Sequence, residues 1–333
     1  MALSSPVRVF ISPCETGPDA WRHQAEILRS HLPAGDGEVV SAPTPDESDL
    51  IFITDTREED EHLKVRENPL VRAYPEKCFI LSDADSPPKW VRGVLTSLTR
   101  SPLNLGRFRS GGYFLFHPDF RNPYVEKWYA EGIPSHDKKH LFSFMGRRCI
   151  PLREQLLSLS FQRADTFLED TSSFDNFTHD SAPNDRPKRR YADIMLASKF
   201  ILCPRGNGAA SIRLFEAMQL GIAPVIISDS WVLPQGPVWS ECAIQIRERD
   251  LPKLEATLTA RESEWRDLGT NARMAYDSFF HGPNYLRYLA QAALDIQRTS
   301  LVPEKWVQKV TPAAVLFRKV RRRIRRQLAS RAA

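Results

Sequence analysis

The sequence predicts an α/β protein built from two parallel-sheet units that face each other across a cleft. Two observations carry this prediction. Short runs rich in Ile, Phe and Val recur along the 333 residues, each closing on a polar turn: VRVFIS at 7–12, DLIFITD at 49–55 and KCFILSD at 77–83, then LFSFMG from Leu141 and FILC at 200–203. Runs with no polar face suit parallel strands covered by helices on both sides. Between the two sets, Pro102 to Pro134 is rich in Pro, Gly and aromatic residues, which reads as loops, short strands and the crossing between units.

The elements follow in order. Trp21–Leu32 has helical spacing between the first two strands. LFSFMG opens the second unit, followed by a loop at 147–149 and a helix with Pro151 in its first turn, where the missing N–H costs nothing. The polar stretch 167–190 reads as an exposed loop, and 191–198 as one short helix. Then come the strand at 200–203, a glycine-bearing turn, a helix from about Ala209 to Leu220 and a strand after Gly221. Further helices are expected at 252–268 and 284–298. The expected division is 1–138 for the first unit, 139–300 for the second and 301–333 for a basic tail.

Bulk properties narrow the function. With 42% hydrophobic and 26% charged residues the composition is that of a soluble globular protein. No run approaches the ~18–20 apolar residues of a membrane span. The N-terminus passes almost directly into a strand without a basic-then-apolar signal pattern, so a cytoplasmic protein is expected. Cys14, Cys78, Cys149, Cys203 and Cys242 are widely spaced and form no C-x-x-C pair, which predicts buried free thiols rather than zinc or disulfides. The net charge is +5, yet residues 312–333 alone hold eight Lys and Arg and no acid, so the rest of the chain is net acidic. Nucleic-acid binding is therefore not expected. In the tail, Leu316, Val320, Ile324 and Leu328 recur every four residues among arginines, which predicts a helix at 313–331 that rests on an anionic membrane surface, placing the protein peripherally on its inner face.

The densest signal is FILCPRGNGAASIRLFEAMQLGIAPVI, Phe200 to Ile226. A turn carrying Gly206 and Gly208 between a strand and a helix bares backbone N–H groups at the positive end of the helix dipole, a physical site for phosphate. Arg205 adds a guanidinium that grips phosphate in two-pronged fashion, and Ser211 is either the helix cap or a hydroxyl donor to the same group. Arg213 and Glu216, three apart, form either a surface ion pair or groups engaged with a ligand. Phosphate donors beside a carboxylate suit a nucleotide sugar, which carries both phosphate and hydroxyls.

These parts also resemble the exostosin family, the inverting glycosyltransferases of family 47. The resemblance rests on Cys203-Pro204-Arg205-Gly206, then Ser211, Arg213 and Glu216 as S-x-R-x-x-E, then Gly221 and Pro224-Val225-Ile226. HLFSFMGRR at 140–148 with Arg153, and CFILSDADSP at 78–87, fit the same family. It covers roughly residues 75–245. It implies a GT-B-like fold and a nucleoside-diphosphate sugar donor, with UDP expected. Transfer would go to a glycan, lipid-linked or other hydroxyl acceptor, with no cofactor. It also implies that Glu216 accepts hydrogen bonds from the donor ribose, and it makes Arg147 and Arg153 candidate diphosphate ligands.

An inverting transfer needs a base for the acceptor hydroxyl. Asp83 and Asp85 at a strand end are the first candidates, with His117 and Asp119 behind them. A competing reading makes Asp83-Ala84-Asp85 a D-x-D metal motif. The helix dipole and arginines leave a metal no required task, so no metal site is expected. Two other classes stay open. GNGAAS followed by Asp229 resembles a dinucleotide-binding fingerprint, lacking its third glycine, which would mean an NAD(P)-binding oxidoreductase. A non-catalytic carbohydrate-binding relative is the third.

Overall fold

The computed structural model of the protein describes residues 5–15, 23–32, 37–54, 62–87, 89–101, 104, 106–113, 121–173, 185–307 and 309. In chain order the first unit holds β1 (Val7–Pro13), α1 (His23–Ser30), β2 (Val39–Ser41), β3 (Leu50–Thr54), α2 (His62–Glu67), α3 (Pro69–Ala73), β4 (Cys78–Ser82), β5 (Gly93–Leu95) and β6 (Phe108–Ser110). Its strands lie in the order β2-β1-β3-β4-β5-β6, every pair parallel. Helix α4 (Pro123–Glu131) leads into the second unit, which holds β7 (His140–Gly146), α5 (Pro151–Leu157), β8 (Thr166–Asp170), α6 (Asp185–Leu196), β9 (Ser198–Pro204), α7 (Ile212–Gln219), β10 (Ala223–Ile227), α8 (Trp239–Cys242) and β11 (Ile244–Gln245). That sheet runs β11-β10-β9-β7-β8, again all parallel. Helices α9 (Leu254–Ala260), α10 (Trp265–Phe279) and α11 (Gly282–Thr299) complete the elements.

The expected fold class, two parallel α/β units, is what the chain adopts. Strands β3, β4 and β10 are buried at every position, as runs with no polar face require. Ile51, Ile53 and Ile80 pack on one face of the first sheet. Phe52, Phe79 and Leu81 on the other face join a core that continues through Phe215 of α7 to Leu289 of α11. The two units therefore share apolar packing instead of meeting only at a polar cleft.

Their carboxyl ends are also stitched together. Thr99 and Trp231 form an antiparallel bridge. Around it Arg100 N donates to Ser230 O at 2.9 Å and Val232 N to Leu98 O at 2.9 Å, and the buried Trp231 Nε1 donates to Thr96 O at 2.8 Å. The loops that follow β5 and β10 thus meet where ligands of open α/β sheets bind.

Several local expectations are corrected. The stretch 167–190, read as a loop, contains most of β8 and the start of α6. Strand β8 sits at the sheet edge and is only half-buried, so its sequence lacks the apolar signature of the inner strands. Helix α4 lies in the region read as loops. Asn122, whose side chain caps Tyr124 N, and Pro123 after it were the signal. The single helix expected at 252–268 is instead α9 and the start of α10, separated by a tight turn at Glu262–Glu264. Helix α11, expected in the second unit, lies on the first sheet: Tyr285 Oη donates to Gly112 O at 3.1 Å and Arg109 Nε to Asp295 at 2.6 Å. Beyond it a buried pair, Arg107 with Glu304 at 2.8 Å, ties the chain to the same sheet. Cys149 is exposed, whereas the other four cysteines are buried as expected. The basic helix expected at 313–331, with His117 and Asp119, lies outside the described residues.

Candidate active site

The site is assembled around the turn from β9 into α7. The helix starts at Ile212, later than the expected Ala209, because Ser211 is extended (φ −133°, ψ 125°) and serves as N-cap. Its hydroxyl nevertheless makes no capping bond, and Ser211 Oγ is buried without a hydrogen-bond partner. A sealed hydroxyl of this kind costs about 1–3 kcal/mol unless something supplies a partner.

Neither glycine of the turn has a positive φ, and close approach explains Gly208. A Cβ on Gly208 would stand 2.5 Å from Asp85 Oδ1 and 2.5 Å from Ser97 Oγ, both in the first unit. A Cβ on Gly206 would come within 3.4 Å of Arg153 Nη2. The bare backbone of the turn is thus pressed between the Asp85 carboxylate on one side and an arginine on the other.

Arg213 and Glu216 are buried on α7, which packs between strands and α10. Among the described residues no ion pair joins them, so the reading as a surface salt bridge falls. The Arg213 guanidinium lies 4.6 Å from the Phe144 ring centroid and 5.6 Å from that of Tyr191. It donates through Nη2 to Met145 O at the end of β7, while its Nε is buried without a partner. Glu216 Oε2 accepts from Tyr191 Oη at 2.6 Å. Among the described residues Oε1 accepts no hydrogen bond. Burial raises the pKa of Glu216, opposed by the Tyr191 hydroxyl and the charge of Arg213.

The remaining arginines divide. Arg153 Nε donates to Arg205 O at 2.9 Å and Nη2 to Pro204 O at 3.1 Å, so it braces the turn from beneath. Burial, then the like charge of Arg213, lowers its pKa. Arg205 is turned away: Nε meets Glu248 Oε1 at 2.8 Å and Nη2 meets Oε2 at 3.4 Å. Glu248 Oε1 in turn accepts from the backbone N of Asp229, the acid of the dinucleotide reading, at 3.2 Å, and Asp229 Oδ1 accepts from Glu248 N at 3.1 Å. Arg147 is exposed, and its neighbour Arg148 pairs with Asp170 at 2.6 Å. The structure therefore brings Gly206, Gly208, Ser211, Arg213, Glu216, Arg153 and Asp85 into one constellation, with Arg205 and Arg147 at its margin.

Asp83 is half-buried and its Oδ1 accepts from Gln24 Nε2 at 3.1 Å. Tyr113 closes the first-unit side. Its ring packs edge-on against Phe215 at 6.1 Å, and its phenol is pushed up by burial, then by the charges of Asp85 and Asp83. Sequence reasoning missed Tyr113 and Tyr191. Each is distant in sequence from the turn and reaches it only by tertiary packing, so no local pattern marks it. Among the described residues no group of three His, Cys, Asp or Glu is arranged to hold a metal. A cavity of about 180 Å³ lies elsewhere, at α10 and α11, lined by Glu38, Arg287 and Tyr288 among others.

The likeness read from the CPRG turn is borne out. Residues 98–260 match the Exostosin GT47 domain. The chain is 35% identical over 92 residues to an Exostosin-1 homolog of Caenorhabditis elegans, which is 27% of this chain and 24% of that protein. It is 44% identical over 78 residues to a probable glucuronosyltransferase of Oryza sativa subsp. japonica, 23% of this chain and 18% of that one. It is 40% identical over 82 residues to a probable beta-1,4-xylosyltransferase of Arabidopsis thaliana, 24% of this chain and 20% of that one. The matches thus span about a quarter or less of those relatives' length. Among solved structures, a glycosyltransferase from Rickettsia africae ESF-5 aligns with 89% of this chain and all of its own at a TM-score of 0.41 and 11% identity.

Proposed function

We propose, on the premise that residues 98–260 form an exostosin GT47 domain, that this chain is an inverting glycosyltransferase that moves a sugar from a UDP-sugar to a hydroxyl acceptor. Glucuronosyl and xylosyl groups, named in the relatives above, are carried biologically by uridine diphosphate, which supports that donor class. The observation that carries the reading is the set of unmet polar groups around one turn. Ser211 Oγ and Arg213 Nε are sealed donors without partners, and Glu216 keeps one carboxylate oxygen unused beside them. A nucleoside diphosphate meets all three, with phosphate oxygens for the donors and ribose hydroxyls for the carboxylate.

In this mechanism the diphosphate lies against the N-terminus of α7, where the backbone N–H groups of 206–211 and the helix dipole offset its charge. Arg153 fixes that backbone and Arg213 adds a positive charge. The acceptor oxygen attacks the anomeric carbon from the opposite face. Its proton passes to a first-unit carboxylate, Asp85 or Asp83, as the bond to the phosphate oxygen breaks. Asp85, against Gly208, is the nearer of the two to the turn. No cofactor takes part. The acceptor is a glycan or lipid-linked hydroxyl, and the basic segment 313–331 holds the enzyme peripherally at an anionic membrane on its cytoplasmic side. No helix of the described residues is long and apolar enough to cross a membrane.

Calorimetry with UDP tests the donor site. Glu216→Gln keeps the size of the side chain and removes its charge, so affinity should fall by about 1.5–3 kcal/mol while the fold persists. Unchanged UDP affinity in an intact variant removes Glu216 from the site and the reading with it.

A further inference from the structure

The hydroxyl of the partly buried Tyr191 has two possible roles. Any buried phenol needs a hydrogen-bond partner, and Glu216 could serve merely as that partner. The geometry around the pair favours a more directed arrangement. Tyr191 comes from α6, which packs against α4 and β9 and is held by Asn122 Nδ2 donating to Lys188 O at 2.8 Å. Its hydroxyl reaches one oxygen of Glu216, Oε2, at 2.6 Å. The obvious alternative partner for that carboxylate, Arg213 one turn earlier on the same helix, is committed elsewhere. It donates to Met145 O, stacks on Phe144 and lies over the Tyr191 ring. The carboxylate is therefore oriented by a neutral donor, and Oε1 is left without a protein partner among the described residues. A salt bridge to Arg213 would have occupied the acid and cancelled the charge that a ribose diol senses.

We propose that Tyr191 is a positioning residue for nucleotide binding: its hydroxyl holds the Glu216 carboxylate by Oε2, in its charged form, so that Oε1 meets the donor ribose as a preformed acceptor. This rests on the donor-site reading above. An oriented acceptor binds without paying the entropy of ordering a mobile side chain. The hydrogen bond also favours the ionised acid against the burial that opposes it. The groups facing this acid from the elements around it are Tyr191 and Lys188 of α6, Arg213 of its own helix and Glu126 of α4. Of these only Tyr191 touches it.

The test is UDP affinity by calorimetry from pH 5 to 8.5, for the wild type, Tyr191→Phe, Glu216→Gln and the double variant. Binding that needs ionised Glu216 weakens as pH falls through the acid's raised pKa. Removing the hydroxyl raises that pKa further, so in Tyr191→Phe the acid limb should move to higher pH. Affinity on the plateau should drop about 3- to 10-fold. In Glu216→Gln the part of the limb owed to the acid should vanish, leaving the titration of the UDP terminal phosphate alone, and adding Tyr191→Phe should then cost little, because the two residues act as one unit. A Tyr191→Phe protein with wild-type limb and affinity, while Glu216→Gln is weakened, overturns the positioning role and leaves the donor site standing. Wild-type binding in Glu216→Gln overturns the donor-site reading itself. A merely structural tyrosine lowers the melting temperature without moving the limb, which also counts against the proposal. If Tyr191→Phe fails to fold, Glu216→Asp replaces it: a carboxylate drawn back from the hydroxyl by one methylene should show the same shifted limb, and an unshifted one overturns the role.

Discussion

The two sides of the cleft are built differently. On the second unit, the turn from β9 to α7 is enclosed: Ser211, Arg213 and Glu216 are all buried, and contacts to Phe144, Met145 and Tyr191 fix the directions of Arg213 and Glu216. On the first unit, Asp83 and Asp85 are half-buried at the end of β4, in a loop that runs to Pro87. The lesson is one of division of labour. In the proposed function the enclosed side recognises an invariant chemical group, the nucleotide, and groups already held in place bind it with little energy spent on ordering them. The side proposed to meet the acceptor would carry its chemistry on loops, where specificity is changed at least cost to the fold.

The same difference decides what was legible in the sequence. The turn, its glycines and the S-x-R-x-x-E helix are contiguous, so the candidate residues of the second unit could be picked out of one segment. What the sequence hid is tertiary. Tyr191 lies on α6, 25 residues before Glu216, and the helix itself is longer than its short apolar end implied. Arg205 looked like a phosphate ligand because it adjoins the glycines, but Glu248, 43 residues on, captures its guanidinium. The glycines were read as baring the backbone N–H groups of the turn. Gly208 also admits Asp85 and Ser97 of the first unit, which no local pattern reveals. The overall fold was legible because inner parallel strands advertise themselves by apolar runs, whereas the edge strand β8 and the return of α11 to the first sheet do not.

The largest expected effect falls on the looser side. Asn at the true base, Asp85 or Asp83, should cut turnover by roughly 10²–10⁴ while leaving UDP affinity in place, since the donor is held by the other unit. Steady-state rates and calorimetry on both single variants separate the two. Full activity in both breaks the division of labour and moves the base to His117 or Asp119.

Next in size is the contact where the two sides touch. In Gly208→Ala the added methyl stands 2.5 Å from Asp85 Oδ1 and Ser97 Oγ, so loop or turn must shift at a cost of about 1–3 kcal/mol. Turnover should fall by roughly 10-fold or more, with a smaller loss in UDP affinity. Wild-type kinetics would mean that Asp85 is not held against the turn during the reaction.

A smaller effect belongs to the tail. The eight basic residues of 312–333 should recruit the protein to vesicles containing phosphatidylserine at low salt, each basic group contributing about 1 kcal/mol near the surface. Turnover on a soluble acceptor should be unaffected. A chain ending at Pro312 that floats with such vesicles as well as the full chain does removes the membrane role.

The smallest expected effect is none, and it tests the comparison from the metal side. If Asp83-Ala84-Asp85 were a D-x-D motif, the first unit would itself hold the diphosphate through a cation, and the second unit would no longer own the donor. The geometry argues for the other arrangement. Asp83 Oδ1 accepts from the Gln24 amide and Asp85 is placed against Gly208. In the proposed donor site the helix N-terminus, Ser211 and Arg213, whose Oγ and Nε lack protein partners, would supply the diphosphate with donors of their own. Turnover in excess EDTA should therefore match that in buffer alone. Loss of activity on chelation, restored by Mn²⁺, would assign the donor phosphates to both units and make Asp83 and Asp85 metal ligands. A UDP affinity that rises steeply with Mn²⁺ would say the same without any turnover assay.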